Sequence, residues 1–259
     1  MTNNTKNVIT SPRDGAQTAS SLVVRSEVPV GKRYGEYRNY LRRDFVFSCS
    51  YCTMSEFEAQ AIRMTIDHYE PRKSRPDLEN TYSNLMYACD ECNLRKGDRC
   101  PPPEAREEGH RFFKADEDFR DEHFQRTGVR LNPKSLVGRY SILALDLNRI
   151  SLCRLREIRE RLYASERMAS EGVLGLKRMR IDQLPPAIKG RAVTAIKRME
   201  ATQEKIAETI DAILADFARS DLIEADAEDN KRNLDRLNEL RSVEAIYPNK
   251  WRAPKAKRR

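Results

Sequence analysis

The 259-residue sequence has no run of about 18 apolar residues, which excludes a membrane-spanning helix by hydropathy. Its opening residues, MTNNTKNVITSPRDG, lack the apolar stretch behind a basic one that a secretory signal requires, so a soluble, cytoplasmic protein with no membrane partner is expected. Hydrophobic residues amount to only 39% against 34% charged, so a buried core is expected over part of the chain. No internal repeat of supersecondary length is visible, and no recognition helix or base-reading module announces itself. The length suits one or two domains.

The net charge of +8 is unevenly placed. Residues 1 to 43 hold eight Lys/Arg against three Asp/Glu, and residues 250 to 259 hold six against none, so the 206 residues between them carry net −3. Basic arms of this kind attract polyphosphate, and they also keep a protein soluble.

Six cysteines are present, and four form two Cys-x-x-Cys pairs, Cys49/Cys52 and Cys89/Cys92. Without export, disulfides are not expected. Two thiolate pairs on tight turns supply the four soft ligands of a closed tetrahedral zinc site, which is preferred here over chance or redox use. Cys100 and Cys153 lack such pairing and read as ordinary thiols, although Cys100 lies close to the second pair.

Residues 1–30 are rich in Thr, Asn and Ser and read as disordered. Aromatics and arginines interleave from Tyr34 onward (YGEYRNYLRR), a segment that packs on the following domain or touches a nucleic-acid backbone, packing being preferred. Phe45, Val46 and Phe47 predict a short strand into Cys49, and SEFEAQAI (55–62) a helix capped by Ser55. The near-alternation from Met64 to Pro71 predicts a strand, Leu85 to Ala88 a second, and Asp90 a cap for a brief helix ending at Gly97. Residues 142–147 fit a strand or the entry to a helix. From Arg149 to Leu162 the spacing of Leu152, Leu155, Ile158 and Leu162 predicts an amphipathic helix, and Pro185 and Pro186 break the pattern beyond it. Ile196, Met199, Ile206, Ile210, Ile213 and Phe217 form a heptad seam, interrupted by Gln203, that suits a helical hairpin or a dimer contact. A further helix over residues 225–241 would give it an intrachain partner.

In order, Cys49-Ser-Tyr-Cys52, Ile66-Asp67-His68-Tyr69-Glu70-Pro71, Asn84-Leu85 and Cys89-Asp-Glu-Cys92-Asn93-Leu-Arg-Lys96-Gly97 resemble the HNH endonuclease family, in the branch where two Cys pairs brace a ββα-metal nuclease motif. The resemblance covers residues 45–99 firmly and reaches more loosely, through Leu147-Asn148-Arg149, to about residue 161. It implies that Asp67 and Asn93 hold a divalent cation, Mg²⁺ or Mn²⁺, that His68 is the general base, and that Asn84 ties the loop down by hydrogen bonds and helps hold His68. Asn93 stands where many members have histidine. Its amide oxygen suits a hard cation.

The chemistry needs these residue types. Phosphodiester hydrolysis requires an activated water, charge stabilisation on the phosphate and help for the leaving oxygen. An imidazole with a pKa near 6.5 takes a proton at neutral pH. Asp67, its neighbour on a strand, points to the other side unless the strand end twists. Lys96, three residues after Asn93, could reach a phosphate, and Arg72, Lys73, Arg75, Arg95 and Arg99 are further candidate backbone contacts. Ten acids against seven bases between Asp44 and Cys100 leave the module itself non-basic. His110 and His123 read as surface residues.

The expected fold is α+β: a small zinc-braced ββα module followed by a mainly helical C-terminal region. The expected division is a basic arm over residues 1–33, the HNH module over 34–105, a linker with trailing helix over 106–180, a helical hairpin or coiled-coil-like region over 181–247 and a basic tail over 248–259. The expected function is metal-dependent endonucleolytic hydrolysis of DNA, with Zn²⁺ structural and Mg²⁺ or Mn²⁺ catalytic. The alternatives are a noncatalytic zinc-knuckle nucleic-acid-binding or adaptor protein, and a nuclease active only with a partner such as a defence-system ATPase. A partner protein or self-association would use the 190–217 helix.

Overall fold

Tyr37, Leu41 and Phe45 recur every four residues, and this spacing puts all three on one buried stripe of the helix α1, Arg38–Asp44, which follows a 3-10 turn at Tyr34–Tyr37. The computed structural model describes residues 23–59, 62–178, 185–198 and 227–252. No strand forms at Phe45 to Phe47: α1 ends there, and Val46 and Phe47 both take left-handed backbone, with φ of 49° and 53°. That conformation is costly for a β-branched residue and reverses the chain abruptly into the first Cys pair. The helix expected over residues 55–62 is also absent where the chain is described. Ser55 and Glu58 do bond each other reciprocally, but only a turn follows.

The two central strands form where the sequence predicts them, the first through its near-alternation. β1, Met64–His68, pairs antiparallel with β2, Leu85–Cys89, in a register that sets Asp67 opposite Met86 and His68 opposite Leu85. Helix α2, Asp90–Lys96, follows at once. Its N-cap is Cys89, whose Sγ accepts the backbone N–H of Cys92, rather than Asp90, which falls inside the first turn. Acids begin α2, bases end it, and Gly97 at φ 54° closes it, each favourable to the helix dipole and termination.

Beyond the prolines come α3 (Pro103–Glu107), the turn α4 (Arg120–His123) and a hairpin of β3 (Phe124–Thr127) with β4 (Arg130–Pro133). Residues 142–145 resolve as the end of a helix and 146–147 as the turn after it: α5 spans Leu136–Leu145, capped by Ser135, and is buried almost throughout. Gly138 is required there, because a Cβ would fall 1.9 Å from the backbone oxygen of His123. Helix α6 runs from Ile150 to Arg178, past the expected end near Leu162, and α7 covers residues 186–198.

Most of the heptad seam, and with it the hairpin or dimer contact over residues 190–217, lies outside the described residues. The last helix, α8 (Ala227–Glu244), packs on α5 through Leu240 and Val243. Behind it Trp251 is buried beside Tyr140, and its carbonyl accepts the N–H of Cys100. The start of the expected basic tail is therefore part of the core of the preceding module. The described part of the arm is also attached: Arg25 pairs with Asp116 and donates to the carbonyls of Tyr82 and Leu85. Among the described residues no helix is long and apolar enough to cross a membrane.

Candidate functional site

The sulfurs of Cys49, Cys52, Cys89 and Cys92 lie within 4.8 Å of one another, and all four residues are buried. A tetrahedron with zinc–sulfur bonds of about 2.3 Å has edges of about 3.8 Å. The Cys52 and Cys89 sulfurs stand at 3.8 Å. Burial pushes the Cys49 thiol up, while hydrogen bonds from the neighbouring thiols hold Cys52 down. The donor set thus fits a structural zinc. The hydrogen bond from Ser50 N–H to the Tyr87 carbonyl fastens the first pair to β2.

Arg149, at the start of α6, supports this cluster. Both of its terminal nitrogens are 3.8 Å from Cys92 Sγ, and Nε is 2.6 Å from Glu91. Burial alone would lower its pKa, but the thiolates of Cys92 and Cys52 and the Glu91 carboxylate outweigh that and hold it above the usual range. A zinc with four thiolates carries net charge −2, so this guanidinium offsets part of it. The role was not legible in sequence, where Arg149 is one of 48 basic residues.

Asp67 and His68 diverge, as strand alternation requires. Asp67, 4% exposed, accepts the Tyr51 hydroxyl at 2.6 Å on one oxygen and the Lys96 ammonium at 3.0 Å on the other. Lys96, 0% exposed, also donates to the His68 carbonyl at 2.6 Å. Burial and the Asp67 carboxylate hold the Tyr51 phenol well above its ordinary pKa. This corrects the expectation that Lys96 is open to a phosphate: it is fully buried, with the Phe112 ring centre 5.8 Å from its ammonium. Tyr51, inside the first Cys pair, was missed because only its cysteine neighbours carried a motif.

Asn93 does not meet Asp67. Its amide nitrogen donates to Thr65 Oγ1 at 3.0 Å, two residues earlier on the same strand face, and Lys96 occupies the position opposite Asp67. With both Asp67 oxygens engaged and an ammonium already beside them, Asp67 and Asn93 as arranged do not fit a divalent cation.

His68, 7% exposed, faces the other way. Its Nε2 lies 2.9 Å from the Glu79 carbonyl, and the Tyr34 ring stands edge-on at 5.0 Å. A carbonyl only accepts, so Nε2 carries the proton and the neutral ring keeps its lone pair on Nδ1. Burial lowers the His68 pKa; the Glu79 carbonyl opposes this and Arg72 adds to it, and the net shift is downward. Asn84 closes the intervening loop. Its Oδ1 accepts Glu70 N–H, its Nδ2 donates to the carbonyls of Glu70 and Leu78, and its own carbonyl accepts Tyr69 N–H.

The other proposed phosphate contacts each hold a carboxylate already: Arg72 with Glu79, Lys73 with Asp98, Arg75 with Asp77, Arg95 with Asp146 and Arg99 with Glu244. His110 and His123 are not surface residues. His110 is buried against Trp251, and His123 Nδ1 bonds the Ser135 hydroxyl at the α5 cap. Cys100 lies between Glu70 and Arg106 rather than in the cysteine cluster.

A short antiparallel hairpin, a following helix and two cysteine knuckles packed on them define a zinc-knuckle ββα module. Residues 49–99 match the model of the HNH family, described as HNH endonuclease, so the chain carries an HNH endonuclease domain. The match covers 51 of the 259 residues, and at that coarse level the segment is an HNH nuclease-type domain. Comparisons with curated proteins and with solved structures return no match.

Proposed function

We propose that the chain is an endonuclease that hydrolyses phosphodiester bonds of DNA, with His68 as general base. The observation that carries this reading is the His68 ring itself: the Glu79 carbonyl holds its N–H, so the opposite nitrogen is left as a proton acceptor. The depressed pKa keeps that acceptor neutral at physiological pH, and Asn84 fixes the loop that brings Glu79 to it. In the proposed reaction Nδ1 takes a proton from water as the water oxygen attacks phosphorus, the bond to the leaving oxygen breaks, and that oxygen takes a proton from solvent. A positioned base of this kind contributes about 10²- to 10⁴-fold in rate.

The family resemblance adds a divalent cation at Asp67 and Asn93. Because Lys96 holds that carboxylate, no step is assigned to Mg²⁺ or Mn²⁺. The same observation favours a second reading, a noncatalytic nucleic-acid-binding module. Its Asp67 would be a structural anion and its His68 would stay covered by Tyr34.

Conversion of supercoiled plasmid by zinc-loaded protein, with Mg²⁺, Mn²⁺ or EDTA, separates the two. Cutting that disappears in His68→Ala supports the nuclease. DNA binding without cutting in any condition supports the binding module.

A further inference from the structure

The described surface pairs most of the cations around the HNH module with acids, but one edge departs from that pattern. Residues 31–43 hold Lys32, Arg33, Arg38, Arg42 and Arg43 against a single acid, Glu36, whose carboxylate turns back onto the Arg33 N–H at 2.8 Å. Arg42 is matched by Glu56. Among the described residues Lys32, Arg33, Arg38 and Arg43 have no carboxylate at ion-pair distance, and neither has Arg63.

Two of these charges share one aromatic ring, and a third lies over another. Lys32 and Arg43 both pack on the Tyr40 ring, at 5.4 and 5.3 Å from its centre. Arg38 lies over Tyr87 and donates at 2.8 Å to the carbonyl of Met64, the residue after Arg63. Tyr34, one residue beyond Arg33, is the ring standing against His68. Like charges gathered without counter-charges repel one another, so the arrangement is costly until a polyanion meets it. Aromatic rings that hold cations in place lower the cost of ordering them on a backbone.

We propose that residues 32–43 together with Arg63 form a nucleic-acid-binding surface, on which a phosphodiester backbone is laid so that it passes Tyr34 and reaches the His68 face. This rests on the nuclease-class reading of the module for the nature of the polyanion. It reassigns the main phosphate contacts from the 72–75 loop, where every base is already paired, to the α1 edge.

Fluorescence anisotropy with a labelled 20-base-pair DNA duplex, and with its single-stranded DNA and RNA counterparts, tests the surface over a series of salt concentrations. Each phosphate contact removed should lower the slope of log affinity against log salt by about 0.9 for duplex and about 0.7 for single strands. The triple variant Lys32→Gln/Arg33→Gln/Arg43→Gln should therefore lose a slope of about 2 to 3, whereas Arg72→Gln/Lys73→Gln/Arg75→Gln should lose less than 1. Zinc content and circular dichroism establish that both variants fold, and Lys32→Arg should retain wild-type affinity. Equal or larger loss in the loop variant, an unchanged slope in the α1 variant, or no binding of any of the three nucleic acids by the wild type would overturn the proposal. Wild-type binding through this edge without cleavage would leave the surface standing and sink the nuclease reading.

Discussion

Replacing Lys96 by Met removes the ammonium that neutralises Asp67 in a site where the two residues are 0% and 4% exposed. The carboxylate would retain only the Tyr51 hydroxyl, and the His68 carbonyl would lose its donor. Breaking a buried pair by deleting one partner costs about 3–5 kcal/mol, because the remaining charge stays desolvated and uncompensated. That is a large share of the about 5–15 kcal/mol that stabilises a typical domain. If the charge is the cause, removing it as well should recover much of the loss. In Asp67→Asn/Lys96→Met the amide still accepts from Tyr51 and no ion is buried, so the coupling energy should exceed about 1.5 kcal/mol. Urea unfolding of zinc-loaded protein, followed by the single tryptophan, Trp251, which is buried in the same core, measures both variants. A Lys96→Met penalty under about 1 kcal/mol, or a double variant no better than the single, would refute the buried pair as described.

Gly138→Ala should destabilise by about 1–3 kcal/mol, since α5 must move off the His123 carbonyl; thermal unfolding near the wild-type midpoint would contradict this. Cys89→Ser removes both a zinc ligand and the N-cap of α2, so it should lose stoichiometric zinc and unfold at lower temperature, as should chelator-treated wild type. Full stability in either case would refute the zinc site. The cleavage rate should be flat at and above neutral pH and fall only as pH drops below the ordinary imidazole range, because a base with a lowered pKa becomes protonated late. Arg72→Gln removes a cation that lowers this pKa, so the fall should shift to higher pH; an unmoved or oppositely moved midpoint would count against His68 as the base.

The HNH segment was readable because its signals are local. The two Cys pairs, the alternation from Met64 to His68 and the Gly97 stop depend on spacings of a few residues, and each reappears in the cluster, β1 and α2. The side-chain partnerships were not readable, because they depend on long-range packing. Nothing near Lys96 in sequence shows that Phe112 lies against it, or that helix α2 sets it and not Asn93 opposite Asp67. Arg149 reaches Cys92 from 57 positions away. The strand expected at Phe45 to Phe47 failed for another reason: three apolar residues fit a strand by propensity, but only Phe45 continues the buried stripe of α1, and the next two turn left-handed. Helix α5, capped by Ser135, was ambiguous, since a short apolar run suits either a strand or a buried helix.

The most direct test of the central claim is a single-turnover assay of supercoiled plasmid cutting, comparing wild type with a His68→Ala variant of equal zinc content and equal DNA affinity. The nuclease reading predicts cutting by the wild type and a loss of about 10²-fold or more in the variant. Equal cutting by both proteins would remove His68 from the reaction, and no cutting by either would leave a zinc-braced binding module.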